Sequence, residues 1–215
     1  MMIPFDGLVE RFKIKARGVL HIGSNTAQEA LDYKKHGIDK VIWIEAIPEV
    51  YAKMLDYLHS VGCLDENVTT INACISDEQG KEVEFNISNN DAQSSSFLEL
   101  GVHKEIHPSV FYTHQVKMTT ARIDNIFTTG NLVGYDLLNI DTQGSELQVL
   151  KGMGDLLYYF KYAIIEINMR ATYIGGALVG EVDEYMERFN FVRAETGKWV
   201  AGTWTDGFYI KKDML

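Results

Sequence analysis

The sequence predicts an α/β fold, one doubly wound, mostly parallel sheet with helices on both faces. Strand-like and helix-like segments alternate along most of the 215 residues, as crossover connections between parallel strands require. The runs VLHIG, KVIWIEA, YDLLNID and YAIIEIN are apolar almost throughout, as expected of strands covered on both faces. No internal repeat, low-complexity tract or Pro/Ser-rich linker interrupts the pattern. Residues 1–215 therefore read as a single domain, a size that one core can serve.

Taken in order, the first strand covers Val19–Gly23. Thr26 and Glu29 then have capping-box spacing for a helix ending near Gly37, with Ala27, Ala30, Leu31 and Lys34 on one face. KVIWIEA (Lys40–Ala46) is a buried second strand, and Pro48 suits the first position of a helix running to about Gly62. VTTINACIS is a third strand. After the turn DEQG, Val83, Phe85 and Ile87 alternate as in a half-exposed strand, which predicts an inserted β-hairpin. A polar loop with Ser94, Ser95 and Ser96, and a helical or irregular piece, lead to His114; VKMTT is then a short strand and ARIDNIF a short helix. YDLLNID is the fourth core strand, SELQVLKGM a helix entered through a tight turn, and YAIIEIN the fifth strand. The tail reads as helix (Glu181–Phe189), strand (Phe191–Glu195), turn and strand (Gly207–Lys211).

Composition narrows the function classes. The formal net charge of -10 repels phosphate backbones, so nucleic acid is not an expected partner. The segment MMIPFDGLVERFKIKARG lacks a signal-peptide core, and no run approaches the ~20 apolar residues of a membrane helix. A cytoplasmic protein without membrane insertion is expected. Cys63 and Cys74 have no motif spacing and read as reduced; Cys74, in an apolar strand with no basic neighbour, reads as a small buried hydrophobe. His103 and His107 have i, i+4 spacing and His114 follows, yet no carboxylate or cysteine completes a zinc set. No metal is expected, and these histidines read as solvated or packing loops.

In an open parallel sheet, ligands bind beyond the carboxyl ends of the strands. The residues placed there are His21, Gly23, Ser24 and Asn25 after the first strand, Glu45 and Ala46 after the second, Asp141, Thr142 and Gln143 after the fourth, and Glu166 and Asn168 at the fifth. A carboxylate at Glu45 can accept both hydroxyl protons of a ribose, with Gly23 allowing close approach; the alternative is a solvated glutamate beside a turn glycine. A dinucleotide needs G-x-G-x-x-G for its pyrophosphate, whereas HIGSNTAQE supplies one glycine. S-adenosylmethionine has the ribose and no phosphate, so it suits this turn better.

The stretch YDLLNIDTQGSELQVLKGM resembles the FkbM family of methyltransferases at Asp141, Gly144, Glu146, Leu150, Lys151 and Gly152. WIEAIPEVY, INACISDEQGKEVEFN, TTARIDNIF and IIEIN extend the resemblance from about Gly18 to Lys211. It implies a class I, Rossmann-like, seven-stranded sheet whose antiparallel end is the tail described above. It also implies S-adenosylmethionine as cofactor and O-methylation of a sugar or other small-molecule acceptor. From the strand-end positions together with the resemblance, the cofactor is expected at His21, Gly23, Ser24, Asn25, Glu45, Ala46, Ala73, Asp141 and Gln143, and the acceptor at Ser95, Ser96 and Asn168, the serines alternatively forming a plain polar loop. Asp141 and Glu166 are the catalytic candidates, with Asp141 alternatively pairing with the methionine ammonium.

The chain departs from that pattern. His21 and Gln143 stand where acidic residues are common, Ser24 where Ala or Gly is, and Asn139 where Lys is. A non-catalytic binding or assembly module is therefore a rival reading, and a nicotinamide-dependent oxidoreductase is another.

Overall fold

The computed structural model describes residues 2–215. The chain begins with α1 (Phe5–Phe12), β1 (Gly18–Ile22), α2 (Ala30–Lys35), β2 (Lys40–Glu45), α3 (Pro48–Ser60) and β3 (Val68–Asn72). Next come β4 (Cys74–Ile75), β5 (Glu82–Ser88), α4 (His103–Ile106), β6 (Tyr112–Ala121) and α5 (Ile123–Ile126). The remaining helices and strands are β7 (Leu137–Ile140), α6 (Glu146–Met153), β8 (Tyr162–Asn168), α7 (Val179–Glu187), β9 (Phe191–Thr196) and β10 (Trp204–Lys211). Seven strands form the main sheet in the order β3-β2-β1-β7-β8-β10-β9, and only β10 runs antiparallel to its neighbours. The mostly parallel α/β sheet that the sequence predicts is the one that forms.

Both faces of the sheet are covered, which is why the central strands lack alternation. Val19 packs with Tyr33, Trp43, Met54 and Phe208 on one side, and Leu20 with Ile42, Ile140, Val149 and Ile165 on the other. Burying an aliphatic side chain of this size contributes roughly 1.5–3 kcal/mol, so neither face tolerates a polar run. Among the described residues no helix is long and apolar enough to cross a membrane.

Several local expectations change. No helix is expected before Gly18, yet α1 forms there and buries Phe5 and Leu8, with Phe5 edge-on to Tyr33 at 5.4 Å. The capping box at Thr26 and Glu29 is not made. Residues 25–29 are turns, with Asn25 and Ala27 at positive φ, and α2 starts only at Ala30. Ala27, Ala30 and Tyr33 are its buried contacts, while Leu31 and Lys34 face solvent. The predicted third strand is divided between two sheets. β3 pairs with β2, and the chain then leaves the main sheet so that β4 pairs with β6. The inserted hairpin is the long antiparallel β5–β6 pair, which β4 extends into a three-stranded sheet.

Candidate active site

The order of the sheet reverses between β1 and β7, and a cavity of about 400 Å³ opens there beyond the strand ends. Its walls come from the ends of β1, β2, β7 and β8, the β3–β4 junction and the inserted segment. That volume lies within the range of small-molecule sites.

At the β1 end, Gly23 has φ +78°, and a Cβ there would lie 1.8 Å from the carbonyl oxygen of Asp141. No side chain fits between these two turns. The N–H groups of Gly23 and Ser24 both donate to the carbonyl of Ile44, at 2.9 and 3.0 Å. Asn25 N donates to Glu45 Oε2 at 2.9 Å, and Thr26 N to Asn25 Oδ1 at 2.8 Å. Four successive donors of this turn are thus engaged within the protein. The Ser24 hydroxyl is likewise turned inward, to the Ile44 carbonyl and Met54 Sδ.

Glu45 is buried and held, not solvated. Its Oε1 accepts from Ile47 N at 2.9 Å while Oε2 takes the Asn25 bond. Burial pushes its carboxyl up to about 7, against the lowering effect of those N–H groups. Ala73 N donates to the Glu45 carbonyl, and Asn72 Nδ2 to the Glu45 and Ala46 carbonyls, which brings Ala46 and Ala73 into the same wall. Cys74 also lines the cavity, and burial pushes its thiol up to about 12, so it is no nucleophile at neutral pH.

His21 lies in the wall and in the core at once. Asn139 Nδ2 donates to the Tyr33 hydroxyl at 2.8 Å, and that hydroxyl stands 3.2 Å from His21 Nδ1. With Asn139 as donor to it, the Tyr33 hydroxyl keeps its own proton for Nδ1, an arrangement that pairs with the imidazole proton on Nε2. Burial pushes the ring down to about 4, with Glu29 acting weakly the other way. Its ring packs on Trp43 with centroids 5.1 Å apart. The residue is a neutral hydrogen-bonding group, neither a cation nor a substitute for a carboxylate.

At the β7 end, Glu146 Oε1 accepts from the N–H groups of Thr142 and Gly144, both at 3.0 Å, and so braces the tight turn. Within that turn Gln143 has φ +53° and Gly144 φ +98°, and a Cβ on Gly144 would strike the Tyr173 ring at 2.7 Å. The Gln143 amide donates to Asp141 Oδ1 at 2.5 Å and to Glu166 Oε2 at 3.2 Å, while the Tyr173 hydroxyl donates to its Oε1 at 2.7 Å. Asp141 is exposed to the crevice, yet enclosure by protein and the nearby Asp206 push its carboxyl up to about 6. Glu166 is buried, and burial followed by Asp141 and Glu146 pushes it well above the carboxylate range.

The inserted segment forms the opposite wall. Ser95 lines it, its Oγ accepting from Ser88 N at 3.0 Å. Ser94 Oγ accepts from Asn90 Nδ2 at 3.0 Å and lies 3.2 Å from His103 Nε2. Ser96 and Asn168, expected beside the acceptor, lie outside the cavity wall. Ser96 Oγ accepts from Leu98 N, and Asn168 Oδ1 from the Thr172 hydroxyl at 2.5 Å, so both are committed to the backbone and side chains behind the wall. Asn90, Gln93, His103, His107, Thr172 and Trp204 line the cavity without having been expected there. The histidine spacing was the one available signal; the others depend on how the insertion folds back. Among the described residues no group of three or more His, Cys, Asp or Glu is arranged to hold a metal.

Residues 19–193 match the family model described as "Methyltransferase FkbM domain". The chain belongs to this family. An FkbM methyltransferase from Methylobacillus flagellatus KT aligns with TM-score 0.56 at 12% identity, over 91% of this chain and 43% of its own. The chain thus spans under half the length of that relative. Magnesium protoporphyrin IX methyltransferase (ChlM) from Synechocystis PCC 6803, solved with bound SAM, gives TM-score 0.54 at 9% identity over 96% of this chain and 76% of its own. M. capricolum TrmK, solved with S-adenosyl-homocysteine, gives 0.51 at 10% identity over 99% and 70%. At such identities the likeness is one of fold, the class I, Rossmann-like methyltransferase sheet. Comparison with curated proteins gave no match.

Proposed function

We propose that this FkbM-family chain uses S-adenosylmethionine to methylate a hydroxyl oxygen of an uncharged small molecule such as a sugar. The observation that carries the reading is the satisfied turn after β1 beside the Glu45 carboxylate. With the N–H groups of Gly23, Ser24, Asn25 and Thr26 already bonded inside the protein, the turn offers no cradle for a pyrophosphate. Each Glu45 oxygen, having accepted one backbone N–H, retains acceptor capacity for a ribose hydroxyl. The donor set fits a nucleoside that lacks phosphate, and Ala46, Ile47, Ala73 and Ile75 supply apolar wall for its base.

When bound, S-adenosylmethionine supplies an electrophilic methyl group on a positively charged sulfur. The protein's task is then alignment of acceptor and methyl, plus removal of one proton. Asp141, open to the crevice and ionised above about pH 6, is the group available to take that proton. Gln93, Ser94, Ser95 and Thr172 offer neutral hydrogen-bonding groups to an acceptor, and no Lys or Arg lines the cavity among the described residues. An anionic acceptor would meet the carboxyl groups of Glu45 and Asp141.

Titration calorimetry tests the reading. S-adenosylmethionine is expected to bind at micromolar levels and NAD not to bind. Binding of NAD alone would make the chain an oxidoreductase candidate, and binding of neither would favour the assembly-module reading.

A further inference from the structure

The side chain of Gln143 has every polar group assigned. Its two amide hydrogens go to Asp141 and Glu166, and its oxygen to Tyr173. Two carboxyl groups that share one NH2 cannot both ionise without strong like-charge repulsion, so between them they carry one proton at neutral pH. The two bonds are unequal. The amide stands 2.5 Å from Asp141 and 3.2 Å from Glu166, and the shorter contact is the one expected of a charge-assisted bond. The environments differ in the same sense, since Asp141 meets crevice solvent and Glu166 is buried.

We propose that Gln143 is a positioning residue whose amide, oriented by Tyr173, assigns the shared proton to Glu166 and leaves Asp141 as the charged group facing the crevice. The Tyr173 hydroxyl donates to the Gln143 oxygen at 2.7 Å. A flipped amide would instead set its oxygen 2.5 Å from Asp141 and 3.2 Å from Glu166, and one shared proton could bridge only one of these acceptor–acceptor contacts, so the NH2 faces the two acids. The left-handed backbone of Gln143 (φ +53°), an arrangement that disfavours a long side chain, aims the amide between β7 and β8. The acids around Asp141, besides Glu166, are Asp206 on β10, Glu29 before α2, Glu45 on β2 and Glu146 on α6. Their combined effect opposes ionisation of Asp141, consistent with its carboxyl lying at about 6. The Gln143 amide works in the other direction, and a glutamate at position 143 would add a further negative charge in its place.

The role of Asp141 in turnover rests on the methyltransferase reading; the division of the proton does not. The test is therefore carboxyl-carbon NMR titration of the 13C-labelled protein without ligand, with Asp141→Asn used to assign the resonance. Replacing Gln143 by Met, similar in length and unable to donate, is expected to raise the proton affinity of Asp141 about tenfold, the effect of losing one charge-assisted bond. Gln143→Glu should raise it further, and Tyr173→Phe should shift it in the same direction by less. In methyl-transfer assays, the acid limb of the pH–rate profile should move alkaline by the same factor in each variant. An Asp141 midpoint unchanged in a folded Gln143→Met protein, or wild-type Glu166 titrating below Asp141, would overturn the proposal. If no variant or wild type transfers methyl groups, the NMR titration still decides the division of the proton while the methyltransferase reading fails.

Discussion

The backbone N–H of Asn25 donates to Oε2 of Glu45 at 2.9 Å, tying the turn after β1 to the end of β2. One carboxylate thus supports the shape of the cavity and, in the proposed function, meets the cofactor. Glu45→Ala should lower stability by about 1–3 kcal/mol, because it leaves the Asn25 and Ile47 donors unpaired, as well as weakening cofactor binding at least about tenfold. Glu45→Gln, which keeps one acceptor oxygen, should recover part of the stability and less of the binding. Urea denaturation and calorimetry on the same variants separate the two effects. Unchanged stability in Glu45→Ala would remove the bracing role.

Stability should fall as pH rises from about 4.5 to 8. Burial raises the carboxyls of Glu45 and Glu146 to about 7 and enclosure raises Asp141 to about 6, with Glu166 also raised well above its ordinary value. The folded state therefore binds more protons than the unfolded chain over this window, and the slope is negative. His21, lowered to about 4, and His103, also lowered by burial, have the opposite slope below about 6.5, but they are two groups against five, since burial raises Asp206 as well. Thermal melts at constant ionic strength across this range check the sign, and a rising Tm would contradict it.

The effect of His21→Ala on S-adenosylmethionine affinity should be the same at pH 5.5 and pH 8.5, because the imidazole is neutral at both. A sequence-level argument would tie its contribution to protonation and expect a larger effect at low pH. The substitution should cost about 2–4 kcal/mol of stability, through the lost packing on Trp43 and the lost partner of Tyr33. Binding isotherms at the two pH values decide.

Asp141→Asn should reduce turnover at least about 100-fold with cofactor affinity near wild type, as expected for loss of a proton acceptor. If Asp141 instead pairs with the methionine ammonium, affinity should drop first and saturating cofactor should restore much of the rate. Steady-state kinetics with cofactor varied at fixed acceptor distinguish these outcomes.

A neutral glycoside should be methylated with kcat/KM at least about tenfold above that of its phosphorylated form, since no Lys or Arg lines the cavity among the described residues. The gap should narrow as salt is raised. A preference for the phosphorylated acceptor would contradict the neutral-acceptor reading.

What the sequence by itself determined was the sheet and the register of its ligand-binding end. Apolar runs such as KVIWIEA and YAIIEIN can only be buried strands, and their final residues must then emerge at the crevice, which is how Gly23, Glu45 and Asp141 were legible in advance. Position along a strand is a local property, so periodicity and turn residues suffice to read it. Only the tertiary structure decided what those residues do once there. The burial of Glu45, the neutral His21 behind Tyr33 and Asn139, and the Gln143 amide reaching Glu166 all depend on groups 12 to 106 residues apart in the chain. The same holds for Ser96 and Asn168, which the chain's course turned away from the cavity, and for His103 and Gln93, which it turned towards it. Protonation states and wall membership are set by desolvation and by contacts across the fold, and neither is encoded in the spacing of residues along one segment.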